Sequence, residues 1–357
     1  MRDLPPAGRA PLLILGFVAL AAGVAGGLSR LGTGVPAPAA GIAWHGALMA
    51  AAFFGTLIAL ERAVAIGRLW AYGAPAVSAI GGVALLAGLT GPAFWMFAGG
   101  AAVFSLASLA IYARHRALHT GVLAAGALCL LGANLWLAFA LSLDRALPFW
   151  IAFFVLTIGG ERLELSRLVP VPNAARTLLA VLTLVLAACA AFAFIELLGV
   201  VLLAIAAWLA RYDLATRTVR ARGITRYIAV CLLAGYFWLA FGGVLLALGV
   251  WRDAALHAIL LGFVFSMVFG HAPVIFPAVL RIALPYRPAF YAPLLVLHAS
   301  ILLRVSGGMA GDAAWLRAGG AGNAIAIALF ILTAAALALG ARRPSPDSSD
   351  RGDRARS

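Results

Sequence analysis

The stretch that decides the fold reads LHAILLGFVFSMVFGHAPVIFPAVL (256–280), RIALPYRP (281–288) and AFYAPLLVLHASILLR (289–304). It consists of two long apolar segments joined by a short basic turn. Three of the chain's 6 histidines, His257, His271 and His298, lie inside these apolar segments. An imidazole is costly to bury among aliphatic and aromatic side chains unless it has a partner. The stretch therefore predicts two membrane-spanning helices that carry polar sites.

The composition extends this prediction to the whole protein. The 357 residues are 64% hydrophobic and 11% charged, and the mean hydropathy is +1.05. Soluble domains of this length need a more highly charged surface. We predict an all-α, multi-pass membrane protein with one transmembrane domain over residues 1–340. Residues 341–357 are polar and predict a disordered cytoplasmic tail.

About twelve segments approach the ~20 apolar residues that a membrane-spanning helix needs. Their predicted bounds are 11–28, 41–64, a third that ends near 89, 93–112, 118–141, 148–165, 177–194, 197–209, 227–250, 254–279, 290–303 and 321–339. The eighth segment is short, so a single helix that includes its neighbour is the alternative.

The basic residues predict the orientation of these segments. The formal net charge is +14, and all 26 basic residues are arginines. They lie between the apolar segments rather than in one patch, which argues against a nucleic-acid partner. Most of them fall on one side if the segments alternate in direction. Cytoplasmic loops are enriched in Lys and Arg, so both termini are predicted to be cytoplasmic.

Two histidines are predicted to lie at the same depth near the outer surface. His45 lies near the outer end of the second span and His257 near the outer end of the tenth. A single histidine at a helix end is often an interfacial hydrogen bonder, and Trp44 beside His45 fits that interpretation. Two neutral imidazoles at matched depth on different helices also suit axial ligation of a haem iron. Both interpretations remain open for this pair.

The other two histidines of the opening stretch are weaker candidates. At about 1.5 Å per residue, His271 lies roughly 21 Å deeper than His257, so these two cannot bind one metal ion. His271 is at most a weak metal ligand at a second level. His298 is predicted in the outer half of the bilayer, as a third ligand or as a partner of a propionate or substrate.

The acidic residues argue against a coupled transporter. Glu61-Arg62 and Glu161-Arg162 suggest ion pairs near the inner interface, and no carboxylate is predicted at the bilayer centre. Transporters that couple to protons or cations usually have such a carboxylate. A cofactor-free permease or channel-like protein for a small uncharged substrate stays open, as does a structural or assembly role.

Several segments resemble the NnrS family, a group of bacterial twelve-helix proteins related to subunit I of the haem-copper oxidases and linked to nitric oxide metabolism. The resemblance rests on WHGALMAAAFFGTLI (44–58), IGGERLELSR (158–167), RYIAVCLLAGYFWLAFG (226–242), LHAILLGFVFSMVFGH (256–271) and YRPAFYAPLLVLHASILLRV (286–305). These segments follow the family's order from the second to the eleventh helix.

The resemblance implies a haem-binding bundle in a bacterial inner membrane. The low-spin haem of the haem-copper fold is held from the second and tenth helices, where this chain has His45 and His257. The copper ligands of that fold come from the sixth and seventh helices, which have no histidine here, so the resemblance implies no copper site. Haem b with a small diatomic ligand or a redox partner is the implied chemistry. The sequence leaves open whether the protein is an enzyme.

Overall fold

The computed structural model describes residues 3–165, 169 and 171–341. Over these residues the chain is helical without any β-strand, and 12 helices are long and apolar enough to cross a membrane. The prediction of an all-α, multi-pass membrane protein is confirmed. The predicted tail, apart from Ala341, lies outside the described residues.

We number the spanning helices in chain order, and the eighth is separate from the seventh. They are α1 Pro6–Arg30, α2 Ala39–Ile66, α3 Leu69–Leu86, α4 Thr90–Arg114, α5 Leu118–Ala140, α6 Leu143–Leu165, α7 Asn173–Phe192, α8 Ile195–Tyr212, α9 Gly223–Ala247, α10 Arg252–Leu280, α11 Pro288–Ala310 and α12 Ala313–Gly340.

Several helices are longer than the apolar segments that predicted them. The start of α12 is the clearest case, since its apolar segment begins at residue 321. The Asp312 side chain accepts hydrogen bonds from the backbone N–H groups of Ala314 and Trp315, at 2.8 and 2.9 Å. An N-cap of this kind fixes the first turn of a helix whatever its hydropathy. Hydropathy marks the hydrocarbon-spanning part, and capping sets the true end.

Helices that follow each other in the chain pack side by side, and α6 and α10 lie deepest in the bundle. In their most apolar windows, 67% of the α6 residues and 61% of the α10 residues are buried, against 28% in α12. Small residues permit close packing, as at Gly100 of α4, which lies against the backbone of Ala74 and Ser78 in α3. Close approach at small residues is typical of membrane bundles.

Both α2 and α10 contain a wide, π-helical segment. It spans Leu48–Phe54 in α2 and Ala258–Phe265 in α10. One segment begins three residues after His45, and the other begins directly after His257. π-Helical turns are rare and occur frequently at functional sites. Each of the two helices thus has a histidine near its beginning, and a π-helical segment follows that histidine.

An aromatic layer divides the space along α2 and α10. It consists of Phe53 and Phe54 of α2, Phe154 of α6 and Phe265 of α10, all at most 4% exposed. The ring of Phe54 lies 4.9 Å from that of Phe154 and 5.4 Å from that of Phe265, both in edge-on arrangements. Such pairs stabilise a close-packed core. The layer separates the histidine end of the two helices from their opposite end.

Candidate functional site

The first polar site lies where α2 and α10 begin, and we call it the histidine–arginine site. It comprises Arg30 at the end of α1, His45 on α2, Asp253 and His257 on α10, and Arg304 on α11. The His45 side chain interacts electrostatically with His257, Asp253 and Arg304. The two histidines that were paired from the sequence therefore lie in one site.

The hydrogen bonds of this site fix the protonation of its imidazoles. His257 Nδ1 lies 2.8 Å from the carbonyl oxygen of Asp253. A carbonyl only accepts, so Nδ1 carries the proton, and Nε2 accepts from Arg304 Nη2 at 3.3 Å. On the other side of the site, Arg30 Nη1 approaches His45 Nδ1 at 3.5 Å. Each imidazole thus presents a lone pair to a guanidinium and is favoured in its neutral form.

The site is open at its edge and tight at its base. The Arg304 side chain is 7% exposed and forms an ion pair of 2.9 Å with Asp253, whose side chain is 59% exposed. The His257 side chain is 25% exposed. Two neutral imidazoles with two flanking guanidiniums could hold a metal through nitrogen and anionic groups through the arginines.

A second site lies beyond the aromatic layer, and we call it the glutamate pocket. It is a cavity of about 70 Å³ between α2, α6 and α10. Its ionisable lining residues are Glu61, Glu161 and His271, and the rest of its wall is almost wholly apolar. The sequence interpretation missed this site because the three residues are far apart in the chain. Only the packing of α6 against α2 and α10 brings them to one cavity.

The two predicted ion pairs of the glutamates are not formed among the described residues. Consecutive residues on a helix point in different directions, so an acid and the arginine next to it do not face each other. Arg162 instead lies 3.9 Å from Asp213, in the loop after α8. Glu61 and Glu161 interact with each other electrostatically, Arg62 acts on both of them, and Arg162 also acts on Glu161.

His271 presents an unpaired nitrogen at the glutamate pocket. Its Nδ1 lies 2.8 Å from the carbonyl oxygen of Met267 and therefore carries the proton. Its Nε2 is buried and has no hydrogen-bond partner among the described residues. This tautomer leaves the Nε2 lone pair available, as in a metal ligand or a proton acceptor.

Further buried polar atoms continue from the pocket towards the loop after α8. His271 interacts electrostatically with Arg162, and Asp213 interacts with both Arg162 and Tyr236. Arg162 Nε and Asp213 Oδ2 are the two atoms of the 3.9 Å ion pair. Neither they nor the buried Tyr236 hydroxyl meet hydrogen-bond geometry with a described residue. Burial raises the pKa of Asp213, against the opposing effect of Arg162 and of the Ala215 N–H. Buried atoms of this kind are usually satisfied by water.

His298 lies outside both sites. Its Nδ1 accepts a hydrogen bond of 3.0 Å from the indole N–H of Trp238, and its Nε2 is buried without a partner. A neutral imidazole that accepts at Nδ1 carries its proton on Nε2, which leaves no lone pair there for a metal. The contact with Trp238 gives no support to a ligand role, and that role stays a prediction.

Within residues 3–165, 169 and 171–341, no three His, Cys, Asp or Glu side chains are grouped closely enough to hold a metal ion. The histidine–arginine site offers two imidazoles, a number that suits a haem rather than a bare metal ion. His45 and His257 therefore remain the pair to test.

Comparison with known families places the whole bundle in one group. A family model described as a domain of unknown function, DUF8744, matches residues 9–339. The chain belongs to this family. The match runs from within α1 to the end of α12, so the DUF8744 unit includes both sites. No curated protein and no solved structure matches the chain. The resemblance to the NnrS family stays a prediction.

Proposed function

We propose that this DUF8744 protein is an integral membrane haem protein of the NnrS-like group, with His45 and His257 as ligands of a haem b iron. The observation that carries the proposal is the position of these two residues. They are far apart in the sequence, yet each lies near the beginning of a spanning helix, and their side chains interact electrostatically. The π-helical segments directly below each of them add support, since such segments frequently mark functional sites.

The side chains of the histidine–arginine site suit this cofactor chemically. The Nδ1–H of His257 is held by the Asp253 carbonyl at 2.8 Å, which directs Nε2 away from its own helix as in many metal-ligating histidines. Arg304 and Arg30 would exchange their contacts with the two imidazoles for contacts with the haem propionates. Charge-assisted hydrogen bonds to carboxylates are stronger than those to a neutral ring nitrogen.

A haem with two imidazole ligands supplies electron transfer in preference to ligand activation. The proposed role is accordingly redox chemistry, with nitric oxide handling or sensing as the context that the NnrS resemblance implies. The NnrS resemblance implies the bacterial inner membrane, and the arginine distribution favours an orientation with both termini in the cytoplasm. The histidine–arginine site then lies on the outer side, within reach of an external redox partner.

The absorbance spectrum of the purified protein tests this proposal. The wild type expressed with ample haem is expected to show a Soret band, and His45→Ala and His257→Ala are each expected to lose most of it. His115→Ala is the matched control, because His115 is exposed at the end of α4 and is expected to leave the band unchanged. A wild-type Soret band no stronger than that of the His45→Ala/His257→Ala double variant would refute the haem proposal.

One observation favours a second candidate, a cofactor-free permease or channel-like protein for a small uncharged substrate. The cavity of about 70 Å³ lies inside the bundle and is lined by His271. In that case the purified protein binds no haem, and a transport assay in proteoliposomes is sensitive to His271→Ala. A Soret band that depends on His45 and His257 decides against this candidate.

A further inference from the structure

The glutamate pocket has a chemistry that the proposed haem function does not use. Glu61, Glu161 and His271 line it from three different helices. Among the described residues neither carboxylate forms a hydrogen bond or an ion pair, but Arg62 acts on both of them electrostatically. His271 Nε2 has no hydrogen-bond partner in the same part of the chain. Ionisable groups inside a membrane are costly, and those that are retained usually serve a purpose.

Two neighbouring carboxylates in an apolar cavity cannot both remain ionised at low cost. Each loses hydration on burial, and each repels the other. The electrostatic interaction between Glu61 and Glu161 shows that they lie within reach of such repulsion. When two carboxylates share a site, one of them readily holds a proton at a pH where an isolated carboxylate would not. A proton bound to one carboxylate removes this repulsion, and Arg62 and Arg162 act in the opposite direction.

The third residue and the empty space provide a way to move that proton. The cavity of about 70 Å³ has room for a few waters, since one water needs roughly 10–15 Å³ of such volume. His271 Nε2 is a free acceptor, and two carboxylates supply further partners for a water. A hydrated pocket would connect the three ionisable groups by hydrogen bonds.

The polar atoms beyond the pocket define the side from which it exchanges protons. Arg162 Nε and Asp213 Oδ2 form a buried ion pair of 3.9 Å, and Asp213, in the loop after α8, also interacts with the buried Tyr236 hydroxyl. None of these three atoms meets hydrogen-bond geometry with another described residue. They continue the polar environment from His271 to the arginine-rich end of the bundle. In the other direction, the aromatic layer separates the pocket from the histidine–arginine site.

We propose that Glu61, Glu161 and His271 form a proton-binding site that exchanges protons with the arginine-rich side of the membrane. The ligand is a proton rather than a metal cation for two reasons. No group of three His, Cys, Asp or Glu residues within the described parts of the chain is placed to hold a metal. Arg62 and Arg162 also act on Glu161 and would weaken the binding of a divalent cation. This site is independent of the haem proposal.

Dicyclohexylcarbodiimide tests for the bound proton in the intact protein in membranes. This apolar reagent adds a protonated carboxyl group across one of its C=N bonds, and the O-acylisourea rearranges to a stable N-acylurea without loss of a leaving group. We expect adducts on Glu61 or Glu161, mapped by mass spectrometry, that decrease as the pH rises. Glu196, which is exposed at the start of α8, is the control and is expected to stay unmodified. Absence of adducts on both pocket glutamates at every pH would overturn the proposal.

Variants test whether the two glutamates share the proton. In Glu161→Gln the like charge next to Glu61 is removed, so Glu61 should ionise more readily. Its labelling at neutral pH is then expected to fall several-fold, while Glu196→Gln leaves it unchanged. Glu61→Gln makes the same test on Glu161 if the first variant does not fold. Unchanged labelling in both folded variants contradicts the proposal, as does a stoichiometric metal that is lost in Glu161→Gln.

Discussion

The histidine–arginine site and the glutamate pocket lie on the same two helices, but their polar groups are satisfied in different ways. In the first site, Arg304 contacts both Asp253 and His257, and Arg30 approaches His45. In the second, neither carboxylate has an ion-pair partner among the described residues, and the buried nitrogen of His271 has none.

The difference follows from the surroundings of the two sites. At the outer helix ends, water reaches Asp253 and His257, and long arginine side chains can extend to them from neighbouring helices. In the glutamate pocket, whose wall is almost wholly apolar, a second fixed charge would cost more desolvation than it returns. A mobile partner such as a proton or a water therefore suits the inner site, and fixed ion pairs suit the outer one.

Among the variants considered for stability, a change in the aromatic layer between the two sites is expected to cost the most free energy of unfolding. Phe54→Ala removes a buried ring that contacts Phe154 and Phe265 in the aromatic layer. Replacing a buried Phe by Ala typically costs about 3–5 kcal/mol. We expect a loss of that order in the free energy of unfolding, measured by denaturation in detergent. Phe139→Ala is the control, because Phe139 is 73% exposed on the lipid-facing surface, and it should change little. A near-neutral Phe54→Ala would show that the layer is not tightly packed.

Two arginine variants compare a buried ion pair of the histidine–arginine site with an exposed one. Arg304→Gln removes a nearly buried guanidinium that contacts Asp253 and His257. We expect a loss of about 1.5–3 kcal/mol, the range for hydrogen bonds to charged groups. Arg252→Gln removes an equally short ion pair of 2.8 Å to Asp144, but both of its side chains are more than half exposed. Exposed pairs contribute about 0–1 kcal/mol.

Thermal unfolding of the two variants in the same detergent measures this difference. Equal losses would mean that the burial of Arg304 has no energetic consequence.

The sequence was sufficient for the all-α architecture of twelve spans, and it paired two histidines whose role as ligands stays a prediction. Twelve spans follow from hydropathy because the bilayer requires ~20 apolar residues from each helix. The pairing of His45 with His257 follows from topology, since two residues at helix ends share a depth if their helices start on the same side. Both predictions depend only on the order and direction of the apolar segments.

The glutamate pocket could not be found in that way. Glu61 and Glu161 each precede an arginine, and the adjacency suggested a local ion pair, whereas the helix turns the two side chains apart. Whether a residue faces the core or the lipid depends on the rotation of its helix. The π-helical segments of α2 and α10 change that rotation, and nothing in the apolar sequence marks them.

A smaller effect is expected in the pH dependence of stability. Burial raises the pKa of Asp213, so the folded protein holds this proton at a pH where the unfolded chain has lost it. The carboxyl group therefore favours folding at low pH, and this contribution is lost as the pH rises from about 4 through the raised pKa. Asp213→Asn removes this titration. The stability of the wild type relative to the variant should fall by at most about 1.4 kcal/mol per unit of pH in that window.

Unfolding midpoints of wild type and Asp213→Asn, compared from acidic to neutral pH, check the sign. A wild type that gains stability relative to the variant as the pH rises would mean that Arg162 outweighs burial at this carboxyl group.

We expect His45→Gln to change the free energy of unfolding the least, so this variant can separate the loss of a ligand from unfolding. The contact between Arg30 and His45 is 3.5 Å long, at the limit of a hydrogen bond, and Arg30 is exposed. We expect the free energy of unfolding to change by less than about 0.5 kcal/mol, in the range of surface substitutions. His257→Gln should cost more, because it loses the 2.8 Å bond to the Asp253 carbonyl. If His45→Gln keeps its stability but loses the Soret band, the loss reports removal of a ligand and not unfolding. A large loss of stability in His45→Gln would mean that this histidine has a structural role.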